Sequence, residues 1–142
     1  MKKKSGTKTI YITDNDMVRL EELLEVAGEN PTRDNKHLEE LSRELMKAEI
    51  VESRDIPPNV ITMNSEVLFQ DLDSGDSKTY KLVFPREANV DQNRISILAP
   101  VGTAMLGCRV GQTIKWNAPA GERKMKIVKI LYQPEAAGDY HL

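Results

Sequence analysis

Along the first third of the chain the apolar positions recur at a helical spacing. Met17, Leu20, Leu24 and Ala27 stand at offsets of 0, 3, 7 and 10, and Leu38, Leu41, Leu45 and Ala48 repeat those offsets. Such a spacing keeps one stripe of each helix turned toward a partner, so Asp14 to Val51 reads as two helices packed lengthwise. Thr13 is placed to cap the first helix through its hydroxyl, with Asp14 and Asp16 in the first turn beside its positive end. Gly28 and Pro31 interrupt the pattern, and Asp34 is placed to cap the second helix. A short connection between the two predicts an antiparallel helical hairpin, a short coiled coil. Glu21, Glu22, Glu25, Glu39, Glu40, Arg43, Glu44 and Lys47 leave each helix only a narrow apolar face. A narrow stripe suits a pair that projects from a body better than helices lying flat on a core.

Pro57-Pro58 ends this regime, because proline stops a helix and restricts the residue before it. Beyond it the period is two. Val67 and Phe69 alternate on one predicted strand, and Tyr80, Leu82 and Phe84 on another. Asp73-Ser74-Gly75-Asp76 supplies turn chemistry between them, so a β-hairpin is expected. Arg94 to Leu98, Gln112 to Asn117 and Lys124 to Tyr132 read as further strands. In the last, Met125 and Ile127 lie on one phase while Val128, Ile130 and Tyr132 lie on the other, which predicts a bulge or a change of buried face. A short helix fits Gly102 to Leu106, stopped by Gly107. The expected fold is α+β. An N-terminal strand or tail and the hairpin occupy residues 1–55, and a mostly antiparallel sheet with one short helix occupies residues 56–142.

Composition narrows the function classes. The 142 residues carry 20 basic and 22 acidic side chains, a net charge of −2 that gives no reason to expect direct nucleic-acid binding, which rests on many neutralised phosphates. In linear sequence the only basic cluster is Lys2-Lys3-Lys4, with Lys8 after it, and a terminal lysine run reads as a solvated tail. No apolar run approaches the ~20 residues that cross a bilayer, and the start lacks the apolar stretch of a secretory signal. Cys108 is the sole cysteine, which suits a reducing compartment. A soluble cytoplasmic protein, free of membrane, is expected.

Enzyme chemistry does not assemble. Gly102 to Gly107 has the glycine spacing of a phosphate loop, but Cys108-Arg109 stand where lysine and a hydroxyl residue are needed. His37 and His141 are the only histidines and make no zinc spacing with Cys108. No nucleophile–base signature occurs, and carboxylates on helices usually form solvated faces. The expectation is no catalytic residue, no metal and no cofactor.

The stretch Ile97-Leu98-Ala99-Pro100-Val101-Gly102-Thr103-Ala104-Met105-Leu106-Gly107 resembles the strand, loop and short helix of the C-terminal domain of Gre transcript factors. Gly111-Gln112-Thr113-Ile114 and Pro119-Ala120-Gly121-Glu122 continue that likeness. It implies an FKBP-like fold, a sheet wrapped around a short helix. Ile12 to Asp16, Val60 to Ser65 and Tyr132 to Tyr140 are similar in wording and placement to Rnk-type regulators of nucleoside diphosphate kinase. That resemblance implies a protein that binds RNA polymerase at the rim of its secondary channel, competes there with Gre factors, and affects nucleoside diphosphate kinase levels.

Gre factors, by the same resemblance, thread a long hairpin down the channel and present acidic residues that help bind a catalytic Mg²⁺. Helices of about 14 to 17 residues give an arm of only ~21–25 Å at 1.5 Å per residue. The tip holds Glu29, Asn30, Arg33 and Asp34, in which an arginine separates the two acids. Transcript cleavage is therefore not expected. The Gre docking loop corresponds to Leu98, Ala99, Pro100 and Val101, where Ala99 replaces serine and Leu98 stands at a commonly acidic position. Contact there is left to shape and apolar surface. Two rivals remain: a direct binder of nucleoside diphosphate kinase or another metabolic enzyme, and a peptidyl-prolyl isomerase, which the fold alone does not establish. The self-packed hairpin and closed domain suggest a monomer.

Overall fold

The computed structural model describes residues 10–28, 35–118, 121–140 and 142. A short strand β1 (Tyr11–Thr13) runs directly into α1 (Asp14–Gly28), and α2 (Asn35–Lys47) is followed by β2 (Glu49–Val51). Thr13 caps α1 as its position predicts: its Oγ1 accepts the Asp16 N–H at 3.0 Å. The helical reading of residues up to Val51 is corrected, because α2 ends at Lys47 and the next residues form a strand. β2 pairs in parallel with β1, Tyr11 opposite Glu49 and Thr13 opposite Val51, and the Glu49 N–H reaches Ile10 O at 2.9 Å. The β-branched pair Ile50-Val51 favours the extended form, although Ala48 completes the helical offsets.

α1 and α2 pack against each other. Among the described residues their apolar stripes are buried near β1 and β2, at Met17, Leu20, Leu41 and Leu45. Leu23, Leu24 and Leu38, farther along, are half-buried. The charged positions Glu21, Glu22, Glu25, Glu39, Glu40 and Arg43 are exposed.

The rest of the chain builds a five-stranded sheet in the order β5-β4-β3-β7-β6. Its strands are β3 (Glu66–Asp71), β4 (Ser77–Val83), β5 (Arg94–Ser96), β6 (Thr113–Ala118) and β7 (Gly121–Tyr132). The expected hairpin is β3–β4, Val67 opposite Tyr80. Its turn is drawn tight by Asp71, whose Oδ1 accepts the Asp73 and Ser74 N–H groups at 2.9 and 3.3 Å. β3/β7 and β6/β7 are antiparallel, whereas β4/β5 is parallel. β5 stops at Ser96, short of the expected Leu98, because Ser96 Oγ and O accept the Leu98 and Ala99 N–H groups, both at 3.0 Å, and turn the chain. The short helix α3 (Pro100–Met105) begins two residues earlier than predicted, with Pro100 in the first turn where no N–H is missed. Gly107 (φ +79°) ends it, and a Cβ there would lie 2.6 Å from Ile10 Cβ.

The phase slip in β7 is two bulges. Phe69 faces Ile127 but Leu68 faces Lys129, so Val128 is extra; Val67 faces Ile130 but Glu66 faces Tyr132, so Leu131 is extra. Met125 and Ile127 are buried, while the bulge residues Val128 and Leu131 remain 41% and 47% exposed.

One core joins both parts of the chain. Ile10, Ile12, Met17, Leu20, Leu41 and Leu45 share a contiguous cluster with Val67, Phe69, Leu82, Ile114, Met125 and Ile127. Burying each large side chain is worth roughly 1.5–3 kcal/mol, so the bases of α1 and α2 are fixed to the sheet by ordinary hydrophobic burial.

Candidate functional site

Two places in the fold hold the residues singled out in the sequence. The first is the β5–α3 junction. Leu98, Ala99, Pro100 and Val101 follow one another there, all half-buried, and the side chains of Leu98 and Val101 rest against the core. The loop is fixed from both sides. Thr103 donates its N–H to Ala99 O at 2.9 Å and its hydroxyl to Ile97 O at 2.7 Å. Gly102 lies so close to the preceding strand that a Cβ would stand 2.1 Å from Ser96 O. A glycine is required here by contact, not by torsion. α3 then packs against α2 and β6, so the four residues sit on an element braced by both parts of the chain. Glu29, Asn30, Arg33 and Asp34 lie outside the described residues, as do His141 and the side chain of His37.

The second place was not foreseen as a site. The three stretches Ile12–Asp16, Val60–Ser65 and Tyr132–Tyr140 meet in one buried polar cluster. Asp16, expected as a first-turn helix acid, is only 1% exposed. Its Oδ2 accepts the Met63 N–H at 3.0 Å, and its Oδ1 accepts from Arg19 Nη2 at 2.6 Å. Arg19 also donates to Leu142 O at 2.7 Å and lies 5.0 Å from the centre of the Phe84 ring. Thr62 donates its hydroxyl to Glu135 Oε1 at 2.8 Å, and its N–H to Ser65 Oγ at 2.9 Å.

Burial pushes both carboxyls of the cluster above their ordinary range. For Asp16 the Met63 N–H and Arg19 oppose that rise; for Glu135 the Thr62 hydroxyl opposes it and the Asp16 charge adds to it. Gln133 closes the arrangement. It caps the helix α4 (Pro134–Ala137) by accepting the Ala136 N–H at 3.1 Å, and its amide donates to Pro57 O and Val60 O at 2.9 and 2.7 Å. Gly138 (φ +83°) ends α4, and Asp139 accepts the Tyr132 hydroxyl, a bond that with burial holds that phenol up at about 12. Apart from Arg19 Nε, which is buried without a partner, these donors and acceptors answer one another across three distant segments and tie them together as a clasp. Two local signals for it lie in the sequence, the Asp16–Arg19 spacing of three and the Gln-Pro step, but nothing in their spacing shows that they meet.

Among the described residues no group of three His, Cys, Asp or Glu side chains is placed to hold a metal ion, and no helix is long and apolar enough to cross a membrane. Cys108 is buried, its Sγ donating to Ala104 O at 3.3 Å.

A mixed fold in which a curled sheet holds a short helix at the β5–α3 junction defines a protein of the Gre transcript-factor class. Residues 56–132 match the family model described as transcription elongation factor, GreA/GreB, C-term, and residues 8–51 match that of the Rnk N-terminus. The chain is 40% identical over 138 residues to the regulator of nucleoside diphosphate kinase of Escherichia coli, covering 94% of this chain and 97% of that protein. It is 41% identical over 93 residues to transcription elongation factor GreA of Thermosipho africanus, which is 66% of this chain and 58% of that one. A solved prokaryotic transcription elongation factor GreA/GreB from Nitrosomonas europaea superposes with a TM-score of 0.72 at 40% identity, covering 87% of this chain and 99% of the other. The chain belongs to the Rnk family of nucleoside diphosphate kinase regulators, within the wider GreA/GreB group. The relatives named here are regulators and elongation factors.

Proposed function

We propose that this chain is a non-enzymatic, transcription-associated regulator that docks on RNA polymerase at the rim of the secondary channel. In this reading it competes there with Gre factors, does not stimulate transcript cleavage, and affects nucleoside diphosphate kinase levels. The observation that supports it is the fixed loop Leu98–Val101, held half-exposed by Ser96, Gly102 and Thr103 within the region that matches the GreA/GreB family model. A pre-organised loop binds without an ordering cost. Residues 1–55 are read as the arm, an antiparallel hairpin, and residues 56–142 as an FKBP-like docking body, in a soluble cytoplasmic monomer.

The arm separates docking from catalysis. α1 has 15 residues and α2 has 13, so the arm reaches only ~20–22 Å at 1.5 Å per residue. A Gre hairpin longer by even two turns reaches ~11 Å farther, well beyond coordination distance to a shared metal.

Purified polymerase provides the test. The Leu98→Asp, Pro100→Ala double variant is expected to lose polymerase binding and competition with a Gre factor, its fold checked by circular dichroism because Leu98 also packs on the core, and wild-type protein is expected to leave a backtracked transcript uncleaved. Binding equal to wild type by the variant, or transcript cleavage by the wild type, would sink this reading. Capture of nucleoside diphosphate kinase without polymerase would favour direct contact with the kinase.

A further inference from the structure

Strand pairing sorts the charge of the sheet in a way the linear sequence hides. Val67, Phe69 and Asp71 of β3 face the core, so Glu66, Leu68 and Gln70 face outward. Residues directly opposite one another share a face. The outward set therefore includes Lys81 opposite Glu66, Arg94 opposite Lys81, Lys129 opposite Leu68 and Lys126 opposite Gln70. Lys124 and Lys115, opposite each other on β7 and β6, complete it. Against these six cations the same face carries Glu66 and Glu122, with Asp139 beside it on the Tyr132 hydroxyl, a surplus of three positive charges in a chain whose net charge is −2. None of the six forms an ion pair with another described residue.

The six are arranged as a track. From Arg94 on one edge strand the line crosses Lys81, descends β7 through Lys129, Lys126 and Lys124, and ends at Lys115 on the other edge. Strand spacing and rise per residue make that diagonal roughly 25–30 Å long. Beside it stand the exposed bulge residues Val128 and Leu131, and half-buried Tyr132.

We infer that this outer sheet face binds the phosphate backbone of single-stranded nucleic acid, without sequence preference. Five of the six cations are lysines, a residue depleted from protein–protein interfaces and suited to phosphates as a point charge. Ser77, Thr79 and Asn117 lie among them and supply further groups of the kind that contact phosphates. The exposed apolar side chains give unpaired bases a surface to rest on, which the closed stack of a duplex cannot use. The face lies on strands rather than on the arm or the β5–α3 loop, so it acts independently of the proposed polymerase contact.

Fluorescence anisotropy with a labelled single-stranded RNA, a duplex of the same sequence, and the full-length protein tests this across a salt series. Single-stranded RNA is expected to bind at low salt and to be released as salt rises. The Lys115→Gln, Lys124→Gln, Lys126→Gln variant is expected to bind more weakly, with the slope of log affinity against log salt shallower by about 2. These side chains are exposed, so the variant retains its circular dichroism and melting curve. No binding at low salt overturns the inference, as does a duplex held as tightly as the single strand. So does binding that survives the triple change but falls when Lys2, Lys3 and Lys4 are replaced by serine. Concentration-dependent self-association abolished by the triple change, without RNA binding, would assign the face to the acidic helices of a second copy.

Discussion

The carboxylate of Asp16 accepts the backbone N–H of Met63 at 3.0 Å, joining the first turn of α1 to a segment 47 residues away. Neither atom is available to water, and Arg19 pairs with the other carboxylate oxygen. Asp16→Ala removes both interactions at once, leaving a buried N–H unsatisfied and a guanidinium without its carboxylate. The expected loss is about 2–3 kcal/mol, below the full range for a buried pair because Arg19 is partly solvated. Asp16→Asn keeps an acceptor for Met63 and is expected to lose only about 1 kcal/mol. Urea denaturation of the two variants checks both the size and the order; equal losses would contradict the role given to Met63.

Glu135 makes the clasp sensitive to pH. Burial raises its folded-state pKa above that of the unfolded chain. Between the ordinary value near 4.3 and the raised one the folded state therefore binds more protons, and stability falls as pH rises through that window. Glu135→Gln keeps an acceptor for the Thr62 hydroxyl but cannot ionise. Its stability relative to wild type is expected to rise from acid toward neutral pH, measured by thermal melts at a series of pH values. A pH-independent difference would remove this account.

Asp71 has the opposite sign. The Asp73 N–H, and after it Ser74 and Arg123, hold its carboxyl below the ordinary range. The stability it contributes is present above the unfolded pKa and is lost as pH falls through the folded one. Asp71→Asn is expected to be less stable than wild type at neutral pH, with the gap narrowing under acid. Parallel denaturation curves of the two proteins at neutral and acid pH would show it.

Gly102 sits against Ser96 O with no room for a methyl group. Gly102→Ala is expected to cost about 1–3 kcal/mol by overpacking and to displace the Leu98–Val101 loop. Amide exchange at Leu98 and Ala99, whose N–H groups bond to Ser96, provides a local readout. Unchanged protection there would show that the strand, not the loop, gives way.

Gln133 uses both ends of its amide, one as the cap of α4 and the other as a strap to Pro57 and Val60. Gln133→Ala is expected to destabilise by about 2 kcal/mol, the sum of a lost cap and the buried Val60 carbonyl left without a donor, since Pro57 O keeps the Val60 N–H. Gln133→Glu keeps the cap alone, so calorimetric melting of both variants separates the two contributions.

What could be read from the sequence was local. The Thr13 cap, the β3–β4 hairpin and the bulges of β7 each follow from spacing within a few residues. β2 was missed because three residues are too few to show a period and Ala48 extends the helical one. Asp16 stands in the first turn as its position predicts, but its decisive partner is a backbone N–H that no side-chain pattern encodes. The residues of the β5–α3 loop were found from their wording, yet the contact that fixes them, Gly102 against Ser96, depends on how closely helix and strand approach. The charge of the outer sheet face was hidden for a similar reason: its lysines lie on three different strands and gather only when those strands pair.

The parallel pairing of β1 with β2 places the start of α1 and the exit of α2 side by side on the body. The clasp at Asp16 and the core residues Met17, Leu20, Leu41 and Leu45 all lie near that anchorage. Residues added in equal number to the outer turns of both helices would therefore lengthen the pair by about 1.5 Å for each residue added per helix without disturbing an anchoring contact. If the helix pair serves as the proposed arm, its reach is set apart from the contacts that anchor it, so its length can change while the anchorage stays.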